Sequence, residues 1–308
     1  MKTNPLILIT FALAITGTLA FTGTLAVSCK RGTEHQQDAN RQQDTARQQD
    51  AASQQDRASQ QDRASQQDAK DISAGREEWI QLFNGKDLEG WTIKINKHPL
   101  GENFNNTFRV EDGLMVTRYD QYETFDQEYG HIFYKTPFSR YKLRVEYRIV
   151  GEQVPGGQGW AFKNSGVMFH CQPPEKMLID QPFPVCIEAQ FLGGTGEGER
   201  PTGNLCTPGT HVVIDGELVT RHCTNSSSQT YHGEQWVTFE LVVYGDSIIH
   251  HIVNGDTVMT YSGPQTGGDL PEGFPLPEGT PVTSGYIALQ AESHPFDFRK
   301  VELLDLSR

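Results

Sequence analysis

Cysteine is scarce in this chain, and no two cysteines have the C-x-x-C spacing that is typical of a structural zinc site. The 308 residues contain five cysteines, one near the N-terminus and four in the C-terminal half. In an exported protein, four cysteines favour two disulfides over a zinc site, and three pairings are open. The disulfide candidates are Cys171, Cys186, Cys206 and Cys223.

Positive charge is also scarce. Lysine and arginine together number 26 against 39 aspartates and glutamates, so the formal net charge is −13. Such a surface repels phosphate backbones and anionic lipid headgroups, whereas neutral sugars are indifferent to it. The sequence therefore predicts no nucleic-acid partner and is compatible with a carbohydrate substrate.

Residues 30–70 lack every aromatic and branched aliphatic side chain, so this segment cannot bury a core. Gln-Gln-Asp recurs there with a period of six residues, beginning at Gln36 and ending with the repeat at Gln66. A coiled coil would need apolar a and d positions, which the repeat does not supply. We expect residues 29–75 to form a disordered, solvated tether.

The N-terminus carries the chain's longest apolar run, residues 5–27, preceded by Lys2. Small residues lead to a cysteine in Ala26-Val27-Ser28-Cys29, which resembles a bacterial lipobox. A membrane-spanning anchor is the alternative, because the run approaches the length of a span. The small-residue cleavage site favours a lipoprotein signal peptide over residues 1–28. Cys29 would then carry the lipid and hold the protein at a bacterial membrane of the cell envelope, facing the periplasm or the outer surface.

The remaining residues, 76–308, have no useful helical periodicity and are expected to form one all-β domain. Apolar and polar side chains alternate over residues 141–149, as in a strand with one buried face. Asn254-Gly255 marks a tight hairpin, because both positions of a type I′ turn need positive φ. Many short strands with regular turns predict a jelly-roll sandwich of two antiparallel sheets. The Gly- and Pro-rich segment 264–281 is expected to be a loop beside the site.

One predicted strand is polar where a buried strand should be apolar. Side chains of residues 185–190 alternate faces, which places Cys186, Glu188 and Gln190 together on one side. A carboxyl and a carboxamide are costly on a buried strand unless they are partnered or used. The Gly-rich segment 193–198 follows at once, so the strand is expected to end at an open loop. This polar face is the predicted site.

Seven segments of the domain resemble, in the same order, those of a known family. They include LFNGKDLEGW at 82–91, NSGVMF at 164–169 and IEAQ at 187–190, followed by segments at 234–236, 251–255, 285–292 and 298–303. In this order they resemble the domain of unknown function 1080 family, the 3-keto-disaccharide (3-keto-glycoside) hydrolases, which have a concanavalin A-like jelly-roll fold. The resemblance runs from residue 79 onward, with His170 at a position where relatives often carry Arg.

The resemblance implies chemistry on a sugar that carries a ketone at C3. The ketone acidifies the C2 proton, a base removes it, the enolate expels the C1 substituent, and water adds to the resulting enone. Glu188 is the candidate base or metal ligand, and His170 and His211 are further catalytic candidates. The substrate-binding candidates are Asn164, Trp160, Gln190, Gln290 and Glu292. A divalent metal on the ketone would stabilise the enolate, with Glu188, His170, His251 and His294 as candidate ligands.

Proteins with other functions on the same fold would require different residues at these positions. Many concanavalin-like glucanases carry Glu-x-Asp-x-x-Glu on one strand, but here Glu188 is followed by Gln190 and Gly193 at the two acidic positions. Hydrolysis by that motif is therefore disfavoured. A non-catalytic carbohydrate-binding module displayed on the envelope is the main alternative. A purely structural envelope protein would not need the inward-facing Glu188 and Gln190.

Overall fold

The computed structural model describes residues 78–307, in which all regular structure is β apart from three short 3-10 turns. The described residues lie inside the domain predicted over 76–308. The predicted signal peptide at 1–28, the lipidation at Cys29 and the tether at 29–75 lie outside them. Within residues 78–307, no helix is long and apolar enough to cross a membrane.

Seventeen strands and the three turns follow one another along the chain. The 3-10 turns are Phe104–Asn106, Gly159–Ala161 and Pro174–Lys176. The strands are β1 Ile80–Gln81, β2 Trp91–Ile95, β3 Phe108–Glu111, β4 Leu114–Thr117, β5 Gly130–Tyr134, β6 Arg140–Ile149, β7 Asn164–Cys171, β8 Ile187–Leu192, β9 Asn204–Cys206, β10 Thr210–Ile214, β11 Glu217–Val219, β12 Cys223–Thr224, β13 Val237–Tyr244, β14 Ile249–Val253, β15 Asp256–Thr266, β16 Tyr286–Ala291 and β17 Phe296–Asp305.

These strands form two antiparallel sheets. The ten-stranded sheet has the order β11-β10-β15-β14-β13-β6-β17-β4-β3, with β1 also paired to β17. The seven-stranded sheet has the order β12-β9-β8-β7-β16-β5-β2. Strands close in sequence, such as β6 and β7 or β16 and β17, lie in different sheets, as expected of a jelly roll. The predicted all-β sandwich is confirmed.

The core lies between the sheets and is built by the alternation that the sequence predicted. Along β6, the residues at 141, 143, 145, 147 and 149 are buried while those between them are partly exposed. Tyr147 of β6 stacks on Phe191 of β8, with ring centroids 4.0 Å apart. Its hydroxyl is within hydrogen-bond distance, 2.7 Å, of Thr202 Oγ1, so the polar end of the ring is also satisfied. Each large side chain buried in this way stabilises the fold by about 1.5–3 kcal/mol.

The hairpin between β14 and β15 turns where the sequence predicted. Asn254 and Gly255 have φ of 48° and 95°, and Val253 pairs with Asp256 across the turn. The Asn254 side chain accepts a hydrogen bond from the backbone N–H of Thr238 at 2.9 Å. The turn residue therefore also fastens the hairpin to β13. The segment expected to be a loop from 264 begins later, because β15 extends to Thr266.

The outer face of the ten-stranded sheet is closed by charged and aromatic side chains. Arg118 donates to Asp297 at 2.7 Å, and Arg148 bonds to the same carboxylate. The guanidinium groups of Arg148 and Arg299 lie 4.8 and 4.4 Å from the ring centre of Trp236. The charged side chains on this face are therefore paired with one another or packed on an aromatic ring.

The seven-stranded sheet, in contrast, is buried on both of its faces. All eight residues of β7 are buried, and those that point away from the core join a second apolar cluster that contains Phe133, Met168, Cys186 and Met177. Polar residues farther along that outer face are therefore also removed from water. This double burial places the unusual polar strand in a low-dielectric environment.

Only one of the two expected disulfides is present. Cys206 of β9 is bonded to Cys223 of β12, whereas Cys171 and Cys186 are free and buried. The expected bridge at Cys186 is therefore wrong for this structure. Its thiol contacts that of Cys171 within the apolar cluster, and burial raises the pKa of the Cys186 thiol, which favours the protonated form.

Removing the Cys206–Cys223 bridge should destabilise the domain. The two cysteines are 17 residues apart in sequence, and a loop of that length corresponds to about 3 kcal/mol of unfolded-state entropy. We expect the double variant Cys206→Ala/Cys223→Ala to lose about that free energy of unfolding in urea titrations. Reductant should lower the wild-type midpoint toward that of the variant and leave the variant unchanged. Equal midpoints for the oxidised wild type and the variant would contradict a stabilising bridge.

Candidate functional site

A cavity of about 310 Å³ lies on the outer face of the seven-stranded sheet. Strands β7 and β8 form its floor, and the disulfide between β9 and β12 forms part of its wall. The lining residues are Trp160, Asn164, Phe183, Glu188, Gln190, Cys206, Pro208, His222, Cys223 and Glu292. Five of the eight residues predicted to be catalytic or to bind substrate are among them, whereas Gln290, His170 and His211 are not.

The strand register explains why Glu188 lies in the floor. Across β7 and β8, Met168 pairs with Glu188 and Gly166 pairs with Gln190. A Cβ atom on Gly166 would lie 2.8 Å from Glu188 Oε1 and 2.9 Å from the carbonyl oxygen of Ala189. The Glu188 carboxyl therefore lies over Gly166, in space that any side chain at that position would take.

Two carboxyl groups share this buried environment. Glu188 is 5% exposed and Glu292 is 3% exposed, and each has an oxygen without a hydrogen-bond partner. Burial raises the pKa of Glu188 to about 8. Burial also raises the pKa of Glu292 well above its ordinary value, and the nearby charge of Glu188 raises it further. Two such neighbours do not ionise together easily, so Glu292 keeps its proton when Glu188 loses one.

Carboxamides surround the carboxyl pair. Gln190 Oε1 accepts a hydrogen bond from Asn204 Nδ2 at 3.1 Å. Asn164 Oδ1 has no partner, and neither polar atom of the fully buried Gln290 has one. An unsatisfied buried polar atom costs about 1–3 kcal/mol, so this set is arranged to meet water or a polar ligand.

A row of polar residues continues from Gln290 across the sheet. Gln290 pairs with His131 of β5, and His131 pairs with Lys94 of β2. Lys94 Nζ donates to the carbonyl oxygens of Ile95 and Ile179 at 2.9 and 3.0 Å. Burial, together with the charge of Lys94, lowers the pKa of His131 to about 3, so its imidazole is neutral. This row thus contains a neutral imidazole and a carboxamide next to the site, with the Lys94 ammonium group at its far end.

Aromatic side chains form the exposed wall. Trp160 is 53% exposed, and its ring centre lies 5.7 Å from that of Tyr129. Tyr129 in turn stacks on Phe183 at 5.0 Å. An exposed aromatic face beside buried polar groups suits a sugar ring, which has apolar C–H faces and polar edges.

Two of the predicted histidines lie away from this cavity. His251 sits between the sheets, within hydrogen-bond distance of Gly203 O at 2.9 Å and Tyr261 OH at 2.8 Å. His170 bonds to Gly245 O at 3.2 Å and lines a different cavity. Its φ of 50° lies where the register of β7 shifts, so its side chain does not follow the alternation of the strand.

The other two histidines also lie outside the lining. His294 packs edge-on against Phe162, with ring centres 5.3 Å apart, and burial lowers its pKa to about 4. His211 lines an adjoining cavity, where Nε2 is 3.8 Å from Glu278 Oε1. The histidines predicted to serve as acids or ligands are therefore not brought to the carboxyl pair.

The candidate metal ligands do not converge. Of Glu188, His170, His251 and His294, only Glu188 lines the cavity. Among residues 78–307, no group of three or more His, Cys, Asp and Glu side chains is arranged to hold a metal ion. What this residue set offers directly is proton transfer between two carboxyls and hydrogen bonding to a polar ligand.

Sequence reasoning missed several residues of the site. Phe183 and His222 lie in loops without periodicity, and no pattern in the sequence predicts that they meet. His131 and Lys94 could have been noticed in the sequence, because each is a polar residue next to apolar residues of a strand. Gly166 could also have been noticed, since a glycine inside a strand often marks a place where another part of the chain or a ligand approaches the backbone closely.

Solved structures of similar folds come from several bacteria. One is a "putative glycosyl hydrolase" of Parabacteroides distasonis, 22% identical, covering 75% of this chain and 95% of that chain with a TM-score of 0.48. A protein of unknown function with a galectin-like fold from Bacillus subtilis is 9% identical, with coverages of 74% and 94% and a TM-score of 0.45. A β-glucanase of Bacillus licheniformis is 13% identical, with coverages of 74% and 97% and a TM-score of 0.41.

Among curated proteins, none matches this sequence. The family model of the 3-keto-alpha-glucoside-1,2-lyase-like domain matches residues 78–304. This range includes both sheets, the carboxyl pair and the amides around it. Since the match spans well over half of the chain, the protein belongs to the 3-keto-alpha-glucoside-1,2-lyase-like domain family, as the resemblance of its sequence segments predicted.

Proposed function

We propose that this protein is an exported, lipid-anchored enzyme that cleaves 3-keto-glycosides by elimination and hydration. Family membership supports a glycoside-acting enzyme. The observation that carries the finer proposal is the buried pair Glu188 and Glu292, whose unpartnered oxygens lie at a cavity lined by amides and an exposed tryptophan.

In the first step, the Glu188 carboxylate removes the proton from C2 of the sugar. The C–H electrons form a C2–C3 double bond, and the charge moves to the C3 oxygen. A carboxylate with a pKa near 8 is a stronger base than an ordinary glutamate, which suits removal of a weakly acidic C–H proton. We assign the stabilisation of the enolate oxygen to Gln290, a neutral side chain whose amide nitrogen has no hydrogen-bond partner.

In the second step, the C3 carbonyl reforms and a C1–C2 double bond replaces the bond from C1 to the leaving oxygen. That oxygen takes a proton from Glu292, which retains its proton when Glu188 is ionised. Water then adds at C1 of the enone and gives a proton to the Glu292 carboxylate, while C2 regains the proton held by Glu188, so that the products are the free 3-keto sugar and the alcohol and both carboxyls return to their starting states. Asn164 and Gln190 hold the ring hydroxyls during both steps.

Direct hydrolysis of an unoxidised glycoside is the second candidate. The single-strand motif is absent, but Glu292 supplies a second carboxyl from elsewhere in the chain, and a carboxyl pair is what that reaction requires. A nucleophile must be ionised at the working pH, and Glu188 with a pKa near 8 is mostly protonated at neutrality. This property favours the elimination, in which high basicity is an advantage.

Glu188→Gln should lower kcat for a 3-keto-glucoside by about 10²–10⁴-fold, because the amide cannot accept the C2 proton. Product formation by NMR measures the rate, and calorimetry should show that the ligand still binds. The exposed Glu123→Gln serves as the matched control and should keep wild-type kcat. A Glu188→Gln enzyme with wild-type kcat would remove this residue from the mechanism. Turnover of the unoxidised glucoside by the wild type at a similar rate would favour direct hydrolysis, and binding without product would favour a carbohydrate-binding module.

The pH dependence of kcat/KM should rise through about 8, the pKa of Glu188. Below that pH the base is protonated, so the rate should fall by about tenfold per pH unit. Initial rates from pH 6 to 9 measure the profile, and rates with Glu188→Gln give the background elimination to subtract. A profile that is flat over this range would contradict Glu188 as the base.

The predicted lipobox supports placement at the cell envelope. Cys29→Ala removes the thiol that would carry the lipid, so cells grown with radioactive palmitate should label the wild-type protein and leave the variant unlabelled. Immunoprecipitation followed by autoradiography measures this. A variant labelled as strongly as the wild type would contradict lipidation at Cys29.

A further inference from the structure

A second and larger cavity adjoins the carboxyl cavity. Its volume is about 600 Å³, and it shares Phe183, Pro208 and His222 with the smaller one. The segments 178–185 and 268–271 form its other walls. Because the two cavities share walls, a substituent on a ligand held by the carboxyl pair can extend into the second cavity.

Most of the buried polar side chains of this second wall already form hydrogen bonds within the protein. Gln181, Thr207 and Thr210 each donate to a backbone carbonyl oxygen, at 2.7, 3.2 and 2.6 Å. His211 is 8% exposed and its Nδ1 has no partner. Its ring packs on Gly267, where a Cβ would lie 2.2 Å from Cδ2, so the imidazole is fixed in place. The buried part of the wall thus offers one unsatisfied hydrogen-bonding atom, and the other polar side chains, those of Asp180, Thr220, His222 and Asp269, lie at its exposed rim.

Much of the remaining surface is apolar and rigid. It is formed by Pro182, Phe183, Pro184, Pro208, Leu270 and Pro271. Proline and aromatic side chains lose little conformational entropy on binding and present flat faces to a ring. The carboxyl cavity differs sharply, because Glu188, Glu292 and Asn164 there have unpartnered oxygens.

We propose that the second cavity binds the C1 substituent of the substrate, and that this substituent is an apolar ring with at most one polar group. The inference rests on the proposed function, which places the leaving oxygen at Glu292 in the carboxyl cavity, so that the substituent beyond it can enter the adjoining cavity. It makes the substrates 3-keto-glycosides of aromatic or alicyclic alcohols. A second hexose would bring several hydroxyls against the buried part of this wall, which can satisfy one of them, and each buried hydroxyl left unsatisfied would weaken binding.

Three 3-keto-glucosides that differ only at C1 test this inference. Methyl and benzyl glycosides release alcohols of similar acidity, so a difference in rate reports binding of the ring, and a glucosyl substituent gives the disaccharide. We expect kcat/KM for the benzyl compound to exceed that for the methyl compound at least tenfold, or about 1.4 kcal/mol. The disaccharide should remain within about threefold of the methyl compound.

A variant that fills the cavity gives the second comparison. Thr220 lines the second cavity and is exposed, so Thr220→Trp occupies the space without disturbing the core. It should lower kcat/KM for the benzyl compound at least fivefold and leave that for the methyl compound within twofold. Leu218→Trp is the matched control, because Leu218 is 52% exposed and lines neither cavity. It should behave as the wild type.

The outcomes separate this inference from the proposed function. If the enzyme turns over the benzyl and methyl compounds with equal kcat/KM, or turns over the disaccharide faster than the benzyl compound, the proposed function stands but the apolar-ring inference is wrong. Equal effects of Thr220→Trp and Leu218→Trp would also overturn it. If none of the three compounds is turned over, the proposed function fails, and calorimetry with the same compounds decides the inference. The inference is supported if the benzyl compound binds tenfold more tightly than the methyl compound and Thr220→Trp abolishes this difference. Equal affinities of the wild type for the two compounds would overturn it.

Discussion

Burial of the seven-stranded sheet on both faces is the constraint on which the site depends. One face packs against the ten-stranded sheet, and the other is covered by loops and a small apolar cluster around Met168. A carboxyl placed on that second face loses most of its hydration, which raises the pKa of Glu188 to about 8. The large aromatic core between the sheets offsets the cost of keeping this group out of water.

The two carboxyls lose their protons at different pH values although they are chemically identical. Because burial acts on both and the charge of Glu188 acts further on Glu292, the pair holds one proton more readily than none. One member can then accept a proton while the other supplies one. The amides nearby are uncharged and the imidazole of His131 is neutral, so nothing in the immediate floor forces the pair into a fully ionised state.

Much of the fold and part of the site could be predicted from the sequence, for a physical reason. Strand alternation is local, so the face of Glu188 and Gln190 and the turn at Asn254 were predicted correctly. The histidines were not, because their positions depend on register and bulges between strands. His170 lies at a bulge with positive φ, and His251 turned out to be a hydrogen-bonded core residue. The cysteine pairing likewise depends on which strands become neighbours, which composition does not determine.

Gly166 has no functional group, yet a glycine at this position in a sequence indicates how the side chains of the site are arranged. Its missing side chain leaves the space in which the Glu188 carboxyl lies. In relatives that have exchanged this glycine for a larger residue, the acidic side chain must adopt another position even if it is retained. The residue at this position is therefore a marker for sorting relatives, since it indicates whether the acid can occupy the position that Glu188 has here.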